Sequence, residues 1–139
     1  QGVCSDLVIR AYRVAVNIDL QVLVHEDMRR AFNDYPKRWG LKAPDRNIDH
    51  RRVPNLQRFF SRAGAELKVS TAPENYRPGD LVTWVLPGNL PHIGIVSDRL
   101  VPGTNRPLIL HNIGRGPKEE DALFSFPITG HYRFKLNDV

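Results

Sequence analysis

The hydrophobic pattern of this chain changes period near residue 65, and that change restricts it to one class of fold. On the N-terminal side, apolar residues return every three or four positions. Leu7, Val8, Ala11, Val14, Ala15 and Ile18 line one side of a first helix, with Arg10, Arg13 and Asn17 opposite. Asp19 is placed to cap a second helix carrying Leu20, Val24, Met28, Ala31 and Tyr35, which Pro36 ends. Pro54 opens a third, in which Leu56, Phe59, Phe60 and Ala63 share a face before Gly64 terminates it. On the C-terminal side the apolar residues come in short runs, at 67–70, 81–85, 92–97, 108–113 and 132–134, separated by turn signals such as Pro78-Gly79 and Pro87-Gly88. Helices first and an antiparallel meander afterwards predict an α+β fold, with N-terminal helices packed on one side of a small antiparallel sheet.

The chain has 139 residues, enough for one domain with an ordinary core, so residues 1–139 are read as a single domain. With 41% hydrophobic and 25% charged residues the composition is that of a globular protein, and no apolar run is long enough to cross a bilayer as a helix. One cysteine excludes an internal disulfide and leaves the redox compartment open. The first residue is Gln1 rather than Met, which reads as a processed or trimmed chain. A net charge of +5 suits an anionic partner, but the basic residues are scattered and no nucleic-acid recognition motif accompanies them. Within the second helix, His25, Glu26, Asp27, Arg29 and Arg30 fall mostly off the apolar stripe and read as a solvated face. Residues 37–53 have no period, and a long irregular stretch in a compact domain often carries function.

The lone cysteine, Cys4, falls in the first turn of the first helix. Unpaired amide N–H groups and the positive end of the dipole favour a thiolate there, and the thiolate is the nucleophilic form. A cysteine nucleophile needs a base, and the base an orienting partner. His92 begins a strand and shares a face with Gly94, whose missing side chain leaves room for a close approach. His111 lies on the next strand, where an antiparallel ladder can make the two imidazoles neighbours. Asn112 competes with His111 for the orienting role, and alternation does not choose between them. His25, His50 and His131 read as ordinary surface residues.

In their motifs and order, Cys4 at a helix start, Pro-Gly-Asp-Leu-Val at 78–82, His-Ile-Gly-Ile-Val at 92–96 and Leu-Ile-Leu-His at 108–111 resemble the NlpC-type papain-like cell-wall cysteine peptidases. The runs Gly-Val-Cys-Ser-Asp-Leu-Val-Ile-Arg-Ala-Tyr-Arg, Asn-Ile-Asp-His-Arg-Arg-Val-Pro-Asn-Leu and His-Asn-Ile-Gly are similar to a family of bacterial envelope proteins of unknown function placed in that superfamily. The resemblance implies a papain-like α+β fold with Cys4 as nucleophile, His92 as general base and His111, after its apolar run, as orienter. It also implies an amidase or endopeptidase acting on peptidoglycan stem peptides in the periplasm or outside the cell. No cofactor and no metal are called for. A monomer is expected, and an inhibitor or immunity protein is the further partner such an enzyme would have.

Stem peptides carry carboxylates, so Arg51, Arg52 and Arg115 are candidate grips, with Asn112 beside them as a substrate contact. Two other readings use the same residues differently. An acyl- or peptidyl-transferase would pass the thioester to an acceptor other than water, and a non-catalytic module would bind the wall by charge. A zinc site from Cys4, His92 and His111 lacks a close-spaced ligand pair.

Overall fold

Helix α1 (Val3–Val16) buries Cys4, Ser5, Val8, Ile9 and Tyr12 along one stripe and leaves Arg10 and Arg13 in solvent. The buried face is turned slightly from the predicted one, since Leu7 and Ala11 are only half-buried. The computed structural model describes residues 3–16, 19–36, 52–114 and 116–135. Helix α2 (Leu20–Ala31) starts where Asp19 accepts hydrogen bonds from the N–H groups of Gln21 and Val22, at 3.0 and 3.4 Å. Helix α3 (Val53–Arg62) has Pro54 in its first turn, and Gly64 follows it at φ +77°, a conformation open to glycine without strain.

Tyr35 is not on α2 as predicted, because α2 gives way at Ala31 to a single 3₁₀ turn, Phe32–Asp34. Its hydroxyl instead reaches back to donate to Asp27. Asp27 in turn is buried rather than part of a solvated face, and Arg62 donates to it from Nε at 2.6 Å and Nη2 at 3.2 Å. Burial pushes the Asp27 carboxyl up, but the bonds from Arg62 and Tyr35 outweigh it and hold the group below the usual carboxylate range. A charge that sequence spacing assigns to solvent thus ties α2 to α3.

Among the described residues six strands form one antiparallel sheet: β1 (Glu66–Leu67), β2 (Leu81–Leu86), β3 (Leu90–Leu100), β4 (Pro107–His111), β5 (Lys118–Glu120) and β6 (Ile128–Tyr132). The class predicted, helices followed by an antiparallel sheet, is the one observed. The order β1-β6-β2-β3-β4-β5 is not a simple meander, however, because β6 returns across the sheet to pair with β2. After β5 the chain crosses the sheet face, burying Ala122 and Leu123 and offering the Leu123 carbonyl to Trp84 Nε1 at 2.9 Å, and this carries it to the open side of β2. The strand predicted at 67–70 is cut short at Leu67. Ser70 bonds Tyr76 through its own N–H and carbonyl instead of joining a ladder. Likewise β4 stops at His111, since Asn112 Oδ1 accepts from Gly114 N–H at 2.8 Å and turns the chain. Strand β3 begins at Leu90, two residues before His92, and β6 lies earlier than the predicted 132–134.

The helices cover one face of the sheet. There Val8, Leu20, Met28, Leu56 and Phe60 pack with Leu81, Ile93 and Tyr132. On the other face Tyr76, Val82, Trp84, Val96, Ile109 and Leu123 form a second core. Gln57 of α3 donates to Thr83 Oγ1 of β2 at 2.9 Å and fixes the helix over the sheet. Rings of Phe59, Phe60, Tyr132 and Phe134 interlock with centroids 5.3 to 5.6 Å apart, each pair contributing about 1 kcal/mol beyond its buried area.

Candidate active site

The register pairs Ile95 with Leu110 and Val96 with Ile109, so His92 and His111 fall on the same face of adjacent strands. Their rings touch: His92 Nε2 lies 2.9 Å from His111 Nδ1, and both side chains are buried. His111 Nε2 lies 2.7 Å from Glu120 Oε2, on the opposite side of its ring. Glu120 is a diagonal neighbour, since β5 pairs it with Ile109.

These contacts set the direction of every proton. A carboxylate only accepts, so His111 donates from Nε2 to Glu120 and presents a bare Nδ1. His92 donates from Nε2 to that nitrogen. Its own Nδ1 is then the basic atom. Burial first, and the facing His111 second, push the His92 pKa down to about 4, so the ring is neutral at neutral pH, with its free lone pair on Nδ1.

Cys4 approaches the same end of β3 from the helix side. The backbone amides of Ile93, the residue after His92, and of Ser5 and Cys4 itself lie near enough to its sulfur to favour the thiolate somewhat. Cys4 packs in the helix-side core with Ile93, while His92 tilts against Trp84 on the opposite face, ring centroids 5.6 Å apart. Cysteine and histidine thus reach one stretch of main chain from the two sides of the sheet, where β3 runs beyond its ladder with β4.

Two expectations change here. The helix start was expected to favour a thiolate, but burial dominates and pushes the Cys4 thiol up, with the three N–H groups only partly offsetting it. The resting pair is therefore thiol and neutral imidazole. The space left by Gly94 is also taken by the protein itself: a Cβ there would lie 2.9 Å from Ile109 Cγ2 and 3.1 Å from both the Leu110 carbonyl oxygen and Trp84 Cζ3.

Of the other predicted site residues, Asn112 is buried and its side chain is occupied by Gly114 N–H. Arg52 stands half-buried at the N-cap position of α3. Arg51 and Arg115 lie outside the described residues, as does residue 50 among the histidines. His131, read from sequence as a surface residue, is buried against Asp80. Glu120 was missed altogether. Its signal was the strand pairing of residues 118–120, which a run of three charged residues conceals.

A cavity of about 210 Å³ opens beside the far end of this chain of groups, lined by His111, Ile113, Gly116, Lys118 and Glu120. Among the described residues no cluster of three His, Cys, Asp or Glu side chains is arranged to hold a metal, and no helix is long and apolar enough to cross a membrane.

The depressed His92 pKa has a measurable consequence for stability. The unfolded chain takes up a proton near pH 6.5 and the folded site only near pH 4, so stability present above pH 6.5 is lost as pH falls toward 4, at about 1.4 kcal/mol per unit of depression. Urea melts between pH 7 and 4 are expected to show this slope and to lose part of it in His92→Gln. An unchanged slope in that variant would locate the effect elsewhere.

No solved structure matches the chain. It is 54% identical over 135 residues to the uncharacterized protein YijF of Escherichia coli (strain K12), an alignment that takes in 96% of this chain and 64% of that protein's length. The chain therefore spans somewhat under two thirds of that relative. A family model described as a domain of unknown function, DUF1287, matches residues 1–134, and the chain belongs to that family.

Proposed function

We propose that this domain is a cysteine hydrolase that cleaves amide bonds of bacterial peptidoglycan, as an endopeptidase or amidase, in the periplasm or outside the cell. The observation that carries the reading is the directed chain Glu120–His111–His92, which ends on a basic nitrogen at the stretch of β3 against which the lone cysteine packs. Such a chain has little use in a purely structural core, where apolar groups of similar volume would pack at no electrostatic cost. The resemblance to NlpC-type papain-like peptidases and the basic charge, suited to carboxylate-bearing stem peptides, supply the substrate class.

In the proposed reaction, Cys4 Sγ attacks the amide carbonyl as its proton passes to His92 Nδ1. Because the thiol rests protonated, transfer and attack are coupled. The backbone N–H of Cys4 contributes to stabilising the oxyanion. His92 returns the proton to the leaving amine, and a thioester remains on Cys4. Water, deprotonated by His92, then cleaves the thioester to release the carboxylic acid and restore the thiol. His111 and Glu120 hold the tautomer and spread the positive charge that His92 acquires.

Digestion of purified peptidoglycan, with fragments identified by mass, tests this directly. New termini with the mass of one added water support hydrolysis. Products carrying an amine acceptor instead indicate the transferase reading with the same apparatus. Binding without any product leaves a wall-binding module.

The roles of the neighbours on β4 and β5 separate in kinetics. His111→Ala is expected to lower kcat roughly 100-fold with little change in KM, and His111→Asn or Gln to recover part of it. Glu120→Ala is expected to cost less, because its carboxylate is partly solvated. Asn112→Ala is expected to cost least. A larger loss from Asn112→Ala than from His111→Ala would move the orienting role to Asn112.

A further inference from the structure

A second polar cluster lies on the other side of β2 from the histidine pair. Asp80, at the head of β2, is buried and accepts from His131 Nε2 at 2.6 Å and from Arg133 Nε and Nη2, each at 2.8 Å. Tyr76 stacks on the His131 ring at 4.3 Å. Beside this cluster is a cavity of about 570 Å³, within the size range of small-molecule sites, lined among others by Lys68, Ser70, Asn75, Arg77, His131 and Arg133.

Three features make it a built site. The walls are braced: Ser70 Oγ accepts from Ala72 N–H at 2.9 Å and Asn75 Nδ2 at 2.7 Å, while Asp80 holds the Arg133 guanidinium in a two-pronged grip. The lining charge is unbalanced toward positive. Arg133 is compensated by Asp80, but Lys68 and Arg77 stand at the rim, both exposed and with no ion pair among the described residues. Among the described residues the one lining carboxylate is Glu74, which Asn105 Nδ2 approaches at 3.3 Å. Finally, His131 Nδ1 is buried with no hydrogen-bond partner among the described residues. Asp80 takes the proton side of the ring, so Nδ1 is a bare acceptor, a state that buried polar atoms rarely keep without a use.

We propose that this cavity binds an oxyanion ligand that also carries an O–H or N–H donor. Lys68 and Arg77 meet the anionic oxygens, and the donor satisfies His131 Nδ1. Hydrogen phosphate and the amide-linked carboxylate of a peptide both have this chemistry. The site is independent of Cys4 and does not rest on the hydrolase reading.

The test is a titration of the ¹⁵N-labelled protein at constant ionic strength, once with inorganic phosphate and once with N-acetyl-D-alanyl-D-alanine. Saturable shifts are expected at the Ser70, Thr71 and Asn75 amides and the His131 ring, undiminished in Cys4→Ala. Lys68→Gln combined with Arg77→Gln is expected to weaken binding on the order of tenfold. Both side chains are exposed, so the variant keeps its spectrum, and the single charge reversal Lys68→Glu serves as a second check. Saturation by phosphate alone identifies a phosphorylated ligand, and saturation by the dipeptide a carboxylated one. No saturable shift with either, shifts spread over the whole basic surface, or equal affinity in the double variant would overturn the proposal.

Discussion

Cys4→Ala is expected to abolish release of fragments from peptidoglycan while leaving the fold intact. The side chain is 6% exposed and packs with Val8 and Ile93, so the substitution removes one sulfur from the helix-side core at a cost of about 1 kcal/mol. Chemistry loses far more, because no other group in the site can form the thioester. Losses for triad nucleophiles are roughly 10⁴-fold or greater. Circular dichroism and a urea melt establish folding, and mass analysis of the digest establishes activity. A folded Cys4→Ala protein with full activity would end the cysteine mechanism. The state of the thiol is checked separately by alkylation. Burial raises the Cys4 pKa, so the alkylation rate is expected to keep rising with pH through and beyond the ordinary cysteine value of about 8.5. A fast rate already level at pH 5 would mean that a thiolate–imidazolium pair is preformed and that burial of Cys4 is overcome.

The largest loss of stability outside the helix-side core is expected from Asp80→Ala. Asp80 joins three elements: it accepts from His131 and Arg133 of the β6 end and from the backbone N–H of Arg77 in the turn before β2. Removing it leaves a buried imidazole with no hydrogen-bond partner among the described residues and a guanidinium with its carboxylate gone, a change that costs about 3 kcal/mol or more. Burial raises the Asp80 carboxyl, but the bonds from His131, Arg133 and Arg77 prevail and hold it low. Its contribution is therefore complete above the unfolded carboxyl value near 3.8 and is lost as pH falls through the lower, folded one. Asp80→Ala is expected to flatten the acid limb of the stability profile as well as lower its plateau. A loss under about 1 kcal/mol would show that the cluster contributes little to the fold and is kept for its cavity.

Local signals were legible in the sequence because their physics is local. The Asp19 cap, Pro54 at the start of α3, Gly64 at its end and the Pro78-Gly79 turn each act within four residues, and each stands where the pattern placed it. The same holds for the helices-then-strands order, which the change of hydrophobic period encodes. Strand β5 was not legible: Lys118-Glu119-Glu120 has no apolar alternation, and it is a strand because β4 supplies its hydrogen bonds. Nor could period alone place β6 beside β2, since that depends on Leu123 and Trp84 meeting across 39 residues.

In the candidate site the division is the same. Cys4, His92 and His111 were named by residue type and motif order, and strand parity made the two imidazoles possible neighbours. Only the β3–β4 register brought their nitrogens to 2.9 Å, and only the β4–β5 pairing added Glu120 and so fixed which nitrogen of each ring carries its proton. The sequence could place Cys4 at a helix start but not say how deeply it is buried. Desolvation is set by everything that packs around a group, not by its neighbours in the chain, and it turns the expected thiolate into a thiol, while the bonds from Arg62 and Tyr35 overcome it at Asp27 and make a residue of a nominally solvated face a buried anchor.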